Sequence, residues 1–200
     1  SQTCHSCPSA DALLIELMAA RPDVQALSFH VTYWNRLGWR DRFSLPAATE
    51  RQRRYAQTLR EGRYPGQVYT PQLVIQGERV AIGSDRPAVL AAQAHAARSA
   101  RPARELAVTA EGSGVVVEIG PQEGARVAWL VGYDLRHVTE IGGGENRGRR
   151  LIHGHVVRSI QPLALRQDEG QRLAAPRGAG ERVAVLLQAP DGAILGVATA

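Results

Sequence analysis

The sequence predicts an α/β domain over about residues 1–100, followed by an all-β, sandwich-like domain over 101–200. Three observations predict it. A Cys-x-x-Cys-Pro motif, Cys4 to Pro8, stands directly before an amphipathic stretch. The first hundred residues then run helix, strand, insert, hairpin, helix. Beyond them, short β-type runs separated by turn signals replace every helical pattern.

Residues 10–20 read as a helix because Leu13, Leu14, Leu17 and Met18 recur at helical spacing. Pro22 and Asp23 end it, and VQALSFHV, residues 24–31, reads as a buried strand. An insert over about 32–67 opens with the aromatic, polar stretch TYWNRLGWRDRF. It continues into a helix over 46–61, closed off by Gly62, Pro65 and Gly66. Residues 72–76 and 79–83 form a hairpin around Gln76-Gly77-Glu78. A last helix starts at Ser84 or Asp85, either able to cap it, and runs to about Arg98 with Pro87 in its first turn. With one strand in front, this is the thioredoxin order. Only three residues precede Cys4, so the expectation is an α/β thioredoxin-like domain lacking its first strand. Either the sheet has a vacant central lane, or a longer parent chain supplies the strand.

Residues 99–104, SARPAR, read as a linker. Seven β runs follow at 106–109, 115–119, 127–133, 137–141, 151–160, 183–187 and 194–197. Gly112, Pro121, the glycines at 142–144 and Asp191-Gly192 separate them, the pattern of a small antiparallel sandwich. The triple glycine has β-type flanks on both sides, so it reads as a hairpin turn and not as a phosphate loop. His153 and His155, two apart on one strand, read as a surface-facing pair.

Hydrophobic residues make up 44% of the chain, yet no apolar run approaches the ~18–20 residues of a membrane span. The sequence opens on Ser1 and not on Met, which predicts a processed or trimmed N-terminus. The net charge is +5 and all 24 basic residues are arginine. They are scattered and interleaved with acids, as in Glu50-Arg51-Gln52-Arg53-Arg54. That is the pattern of solvated helical faces and argues against a nucleic-acid partner.

Two cysteines three apart are a redox dithiol, a structural disulfide, or half a zinc site. No other cysteine exists to complete a four-ligand zinc site. Cys4 and Cys7 therefore read as catalytic, Cys4 as the more exposed nucleophile and Cys7 as the resolving thiol one turn inside. The helix N-terminus favours a thiolate there, and His5 adds to the effect if protonated. Thr70-Pro71 precedes a strand, where a cis proline facing the dithiol would leave the backbone before it free to bind an extended substrate. His30, at the end of the strand over 24–31, is either a proton shuttle on the dithiol rim or a satisfied buried histidine. Tyr33 and Trp34 are supporting candidates. Trp34 and Trp39 serve either as a substrate platform or as packing for the insert. The chemistry requires no organic cofactor and no metal. The rival classes are a non-catalytic binding module and a metal carrier using Cys4, Cys7 and His30.

SQTCHSCPSADALL, SFHVTYWNRLGWRDRFS, TERQRRYAQ, VYTPQLVIQG, WLVGYDLRH, GENRGR and VVRSI together resemble a bacterial family, mostly secreted, called domain of unknown function 1223. The resemblance covers essentially the whole chain. It implies a thioredoxin-like fold, thiol chemistry with protein or small-molecule thiols and disulfides, and a periplasmic or secreted location. The family carries an apolar strand ahead of the motif. It also has acidic residues where this chain has Thr32 and Asn35, so carboxylates able to take a proton from the buried thiol are absent from those positions.

Overall fold

Cys7 is the first residue of helix α1 (Cys7–Ala20), with Pro8 in the first turn where its missing N–H costs little. The helix therefore begins inside the motif and not at Ala10. A 3₁₀ turn (Thr32–Leu37), α2 (Pro46–Thr58), the hairpin β1 (Gln72–Ile75) and β2 (Arg79–Ile82), and α3 (Arg86–Arg98) complete the first half. Leu13 and Leu17 of α1 pack on Ala81 and Leu73 of the hairpin and on Val89 of α3. This is a computed structural model. It describes residues 1–98, 105–121, 124, 127–166 and 169–200, and the linker expected at 99–104 lies outside them.

The stretch over 24–31 is not a regular strand. It meets its neighbours through single parallel bridges, Ser28 with Val156 and His30 with Ser44. On the other side, between 24–31 and β1, lies a cavity of about 290 Å³.

The second half contains β3 (Leu106–Glu111), β4 (Gly114–Ile119), β5 (Val127–Glu140), β6 (Arg150–Ala164), β7 (Gln171–Pro176), β8 (Arg182–Gln188) and β9 (Ile194–Thr199). They form two antiparallel sheets, β3-β4-β7 and β6-β5-β8-β9. Val115, Val117 and Ile119 of one sheet pack on Leu130, Val183, Val185 and Leu187 of the other. The opposite face of the four-stranded sheet offers Val131, Val157 and Leu186 to Leu27, Phe29 and Leu45 of the first half. β8 is thus covered on both faces, so it reads as a continuous apolar run with no alternation. The architecture is a mixed α/β one with several antiparallel sheets. Among the described residues, no helix is long and apolar enough to cross a membrane.

Beyond Tyr133, β5 leaves β8 and continues with β6 as a two-stranded ribbon, after a register shift at Gly132/Tyr133. The runs expected at 127–133 and 137–141 are one strand. Asp134 disguises it, a buried carboxylate between apolar stretches that pairs with Arg158 and His137. β7 escaped the sequence reading because it is a short edge strand with two small alanines that opens on polar Gln171 and Arg172 and ends in Pro176. The ribbon packs beneath α1. A Cβ on Gly154 would stand 2.8 Å from Ile15, so the bare backbone permits the approach.

At the ribbon tip, Gly144 has φ +69°, and a Cβ there would lie 2.5 Å from the Thr3 side chain. Gly148 has φ +78° with open space around it. We expect Gly144→Ala to lower stability by about 2–3 kcal/mol and Gly148→Ala by only about 1–2 kcal/mol, the backbone component alone. Urea denaturation of the two variants measures the difference; equal losses would mean that Thr3 does not press on the tip.

Candidate functional site

Cys4 and Cys7 form a disulfide across the start of α1. Contrary to the expected exposed nucleophile, Cys4 is 0% and Cys7 4% exposed. Two layers account for this. On one side, the Trp34 indole N–H donates to the Thr70 hydroxyl at 2.8 Å, and that hydroxyl donates to Cys4 Sγ at 3.2 Å. On the other, the Asn146 amide at the ribbon tip donates to the carbonyls of Gln2 (2.9 Å) and Cys4 (2.8 Å). Thr70–Pro71 is cis, and the Thr70 carbonyl accepts the Ser6 hydroxyl at 3.4 Å. His5 is exposed, and its backbone N–H donates to Glu145 at 2.8 Å.

The three residues before the motif are pinned from several directions. Gln2 is fully buried; its N–H donates to Asp41, its side-chain oxygen accepts the Trp39 indole N–H, and its amide group reaches Thr139. Thr3, also fully buried, donates to the Trp34 carbonyl. Trp39 therefore braces the N-terminal segment and the glycines of the ribbon tip, while Trp34 stands over the dithiol through Thr70. Tyr33 lies further off and donates to Gln52 of α2, which in turn holds the Tyr69 carbonyl.

His30 is not on the dithiol rim. It is buried, with Nδ1 2.7 Å from Asp41 Oδ2. Asp41 also accepts the N–H groups of Gln2 and Phe43. Burial pushes the His30 pKa down to about 4, and the Asp41 hydrogen bond only partly offsets this. Burial acts to raise the Asp41 pKa, but hydrogen bonds from His30 and the Gln2 amide outweigh it and hold the carboxyl well below the ordinary range. The pair is therefore a neutral imidazole donating from Nδ1 to a carboxylate.

His153 is buried as well, and the surface-facing reading is corrected. Its ring sits edge-on to His30 at 4.9 Å, with Nδ1 2.9 Å from Asp11 Oδ2. His155 is only half-buried and sits on the Ala26 carbonyl. Strand alternation failed here because His155 has φ +46°, which breaks the pleat. Asp11 follows Cys7 by four residues, so the two share one face of α1. That spacing was readable in the sequence. The roles of Asn146, Asp41 and Gln2 were not, because each depends on a partner far along the chain. Cys4, Cys7 and His30 do not form a cluster, and among the described residues no group of three metal-ligating side chains is arranged to hold an ion.

The His30 shift gives a pH dependence of stability. The pKa is depressed in the folded state, so its contribution is complete above about pH 6.5 and is lost as the pH falls towards about 4. Asp41 continues the loss at lower pH, since its carboxylate must then be protonated. We expect unfolding free energy to fall by on the order of 3 kcal/mol between pH 7.5 and 4. Urea midpoints across that range, at unchanged slope, read it. A flat profile would mean that His30 titrates normally.

No curated protein matches the chain. Among solved structures, it is similar to an X-ray crystal structure of an Agrobacterium tumefaciens protein. The identity is 27% and the TM-score 0.78, over 100% of this chain and 89% of that one. The model of a family described as protein of unknown function, DUF1223, matches residues 1–188. The chain belongs to that family.

Proposed function

We propose that the chain is a thioredoxin-like thiol–disulfide exchange protein, periplasmic or secreted, acting on protein or small-molecule thiols. The observation that carries this reading is the Thr70 hydroxyl donating to Cys4 Sγ, with Cys7 as the first residue of α1. Each sulfur thus has its own source of thiolate stabilisation, a hydroxyl donor for one and the positive end of the helix dipole for the other.

The exchange balances as follows. A partner thiolate attacks Cys4 Sγ, the bond to Cys7 breaks, and Cys7 leaves as a thiolate. A second partner thiolate attacks its own sulfur in the mixed disulfide and expels Cys4. The partner gains a disulfide, and the Cys4–Cys7 pair gains two electrons. In the reverse direction Cys7 must lose its proton before it attacks. Asp11, on the same helix face and held by His153, is the acceptor the geometry offers. No cofactor or metal enters these steps.

The burial of both cysteines favours a second reading, a closed structural disulfide in a non-catalytic module. The two separate by trapping. Cys7→Ser should leave Cys4 able to attack and unable to release, so disulfide-linked adducts accumulate in an extract, while Cys4→Ser traps none. Absence of reductant-sensitive adducts with Cys7→Ser would sink the exchange mechanism. Asp11→Asn should slow the resolving step about ten- to a hundred-fold at neutral pH, and less at high pH where the thiol ionises unaided. Stopped-flow release of a chromogenic thiol follows it.

A further inference from the structure

The two stretches that wall the motif carry a charge imbalance that the exchange steps do not use. Residues 32–40 hold Arg36 and Arg40 and no acid; residues 142–149 hold Arg147 and Arg149 against one acid, Glu145. Trp39 joins the walls by lying against Gly142 and Gly143. All four arginines are exposed. Exposed arginines elsewhere have partners, Arg21 with Asp23, Arg54 with Glu50 and Arg86 with Glu16. Among the described residues, no carboxylate pairs with any of these four. Glu145 is engaged by the motif itself, accepting the His5 N–H at 2.8 Å.

Two of these cations rest on the groups that cover Cys4. Arg149 Nη1 donates to Asn146 Oδ1 at 2.8 Å, and the Nδ2 of the same amide donates to the Cys4 carbonyl at 2.8 Å. The guanidinium keeps further N–H groups to offer a ligand. On the opposite side, the Arg36 guanidinium lies 5.8 Å from the centroid of the Trp34 ring, whose N–H holds the Thr70 hydroxyl on Cys4 Sγ. Arg147 follows Asn146 directly and is exposed at the ribbon tip. Arg40 makes no such contact with the cover.

We propose that Arg36, Arg147 and Arg149 form a collar that selects cysteine peptides with carboxylates on both sides of the reacting thiol, Arg149 being the specificity-determining residue. The inference rests on the exchange reading and names the substrate class of that same site. Cations stand on both sides of the sulfur, so the complementary charge belongs on both neighbours of the attacking cysteine. Arginine suits this because its planar fork takes a carboxylate through two parallel bonds. A carboxylate that engages Arg149 draws its guanidinium off the Asn146 oxygen, freeing that amide to turn away from the Cys4 carbonyl. The partner thiolate then bonds to Cys4 Sγ as the Cys4–Cys7 bond breaks and Cys7 leaves with the electron pair. A second peptide thiolate releases Cys4, so two thiols become one disulfide and the Cys4–Cys7 pair takes up two electrons.

The test uses the whole chain and two peptides, acetyl-Ala-Glu-Cys-Glu-Ala-amide and its counterpart with Gln for Glu. Reduction of the Cys4–Cys7 bond is followed by alkylation and mass spectrometry. Each rate is expressed per thiolate and normalised to the same peptide's attack on bis(2-hydroxyethyl) disulfide. We expect the Glu peptide to react about ten-fold faster than the Gln peptide at low salt, the ratio falling towards one near 1 M salt. Replacing Arg36, Arg147 and Arg149 together by Gln should bring the ratio within about two-fold, and Arg149→Gln alone should lower it more than Arg147→Gln. A ratio read within each variant cancels any change in how readily the cover opens. Equal rates for the two peptides, a ratio unchanged in the triple variant, or a ratio flat with salt would each overturn the collar; the salt series decides alone if the triple variant does not fold. A chain that reacts with neither thiol overturns the exchange reading instead. The collar is then read by amide chemical shifts with the unreactive peptides carrying Ser for Cys: tighter binding of the Glu form, with shifts at Arg147 and Arg149, upholds it, and equal binding of the two forms overturns it.

Discussion

Two hydrogen bonds from one buried amide fix the geometry of the site. Asn146 holds the carbonyls of Gln2 and Cys4, and it is fully buried at the tip of the β5–β6 ribbon. The residues just before α1 are held from several directions. Asn146 grips them from the second half, Asp41 and Trp39 from the insert, and Trp34 accepts Thr3 on its carbonyl. A buried polar brace of this kind rigidifies only when every member is satisfied, since each unmade bond there costs about 1–3 kcal/mol. Because Asn146 is some 140 residues from the motif, the dithiol depends on the second half folding onto the first.

The two halves are joined by more than the ribbon tip. Ser28 exchanges backbone hydrogen bonds with β6, and the apolar face of β5, β6 and β8 is covered by Leu27, Phe29 and Leu45. Below it, two histidine–carboxylate pairs meet edge to edge, His30–Asp41 within the first half and His153–Asp11 across the halves, and among the described residues neither Nε2 atom has a hydrogen-bond partner. A charge on either ring would be close to the other in a low-dielectric interior, and keeping the His30 imidazole neutral avoids that repulsion. The His153–Asp11 pair ties the ribbon to α1, four residues on from Cys7.

Local patterns in the sequence were read correctly wherever local physics decides the structure. The helical spacing of Leu13, Leu14 and Leu17, the turn at Gln76-Gly77-Glu78 and Pro87 in the first turn of α3 all yield elements close to those observed. The reading failed where a distant partner decides. His153 looked like a surface residue because nothing near it announces Asp11. Asp134 split one long strand into two for want of its partner Arg158. Cys4 looked exposed because its cover, Trp34 through Thr70 and Asn146 from the ribbon, comes from three separate stretches of chain. Thr70 and Trp34 were legible as candidates from position, while the hydrogen-bond relay that joins them to the sulfur was not.

The cavity and the dithiol share two residues. Ser1 accepts the Val31 amide and Thr70 lines the cavity, and three residues on from Ser1 the chain reaches Cys4. Above the motif, the Trp34–Thr70 relay and the Asn146 clamp hold Cys4 in a closed, covered position. A partner thiolate reaches Cys4 only when those bonds open, so sulfur accessibility and the local stability of the clamp are two readings of one free energy.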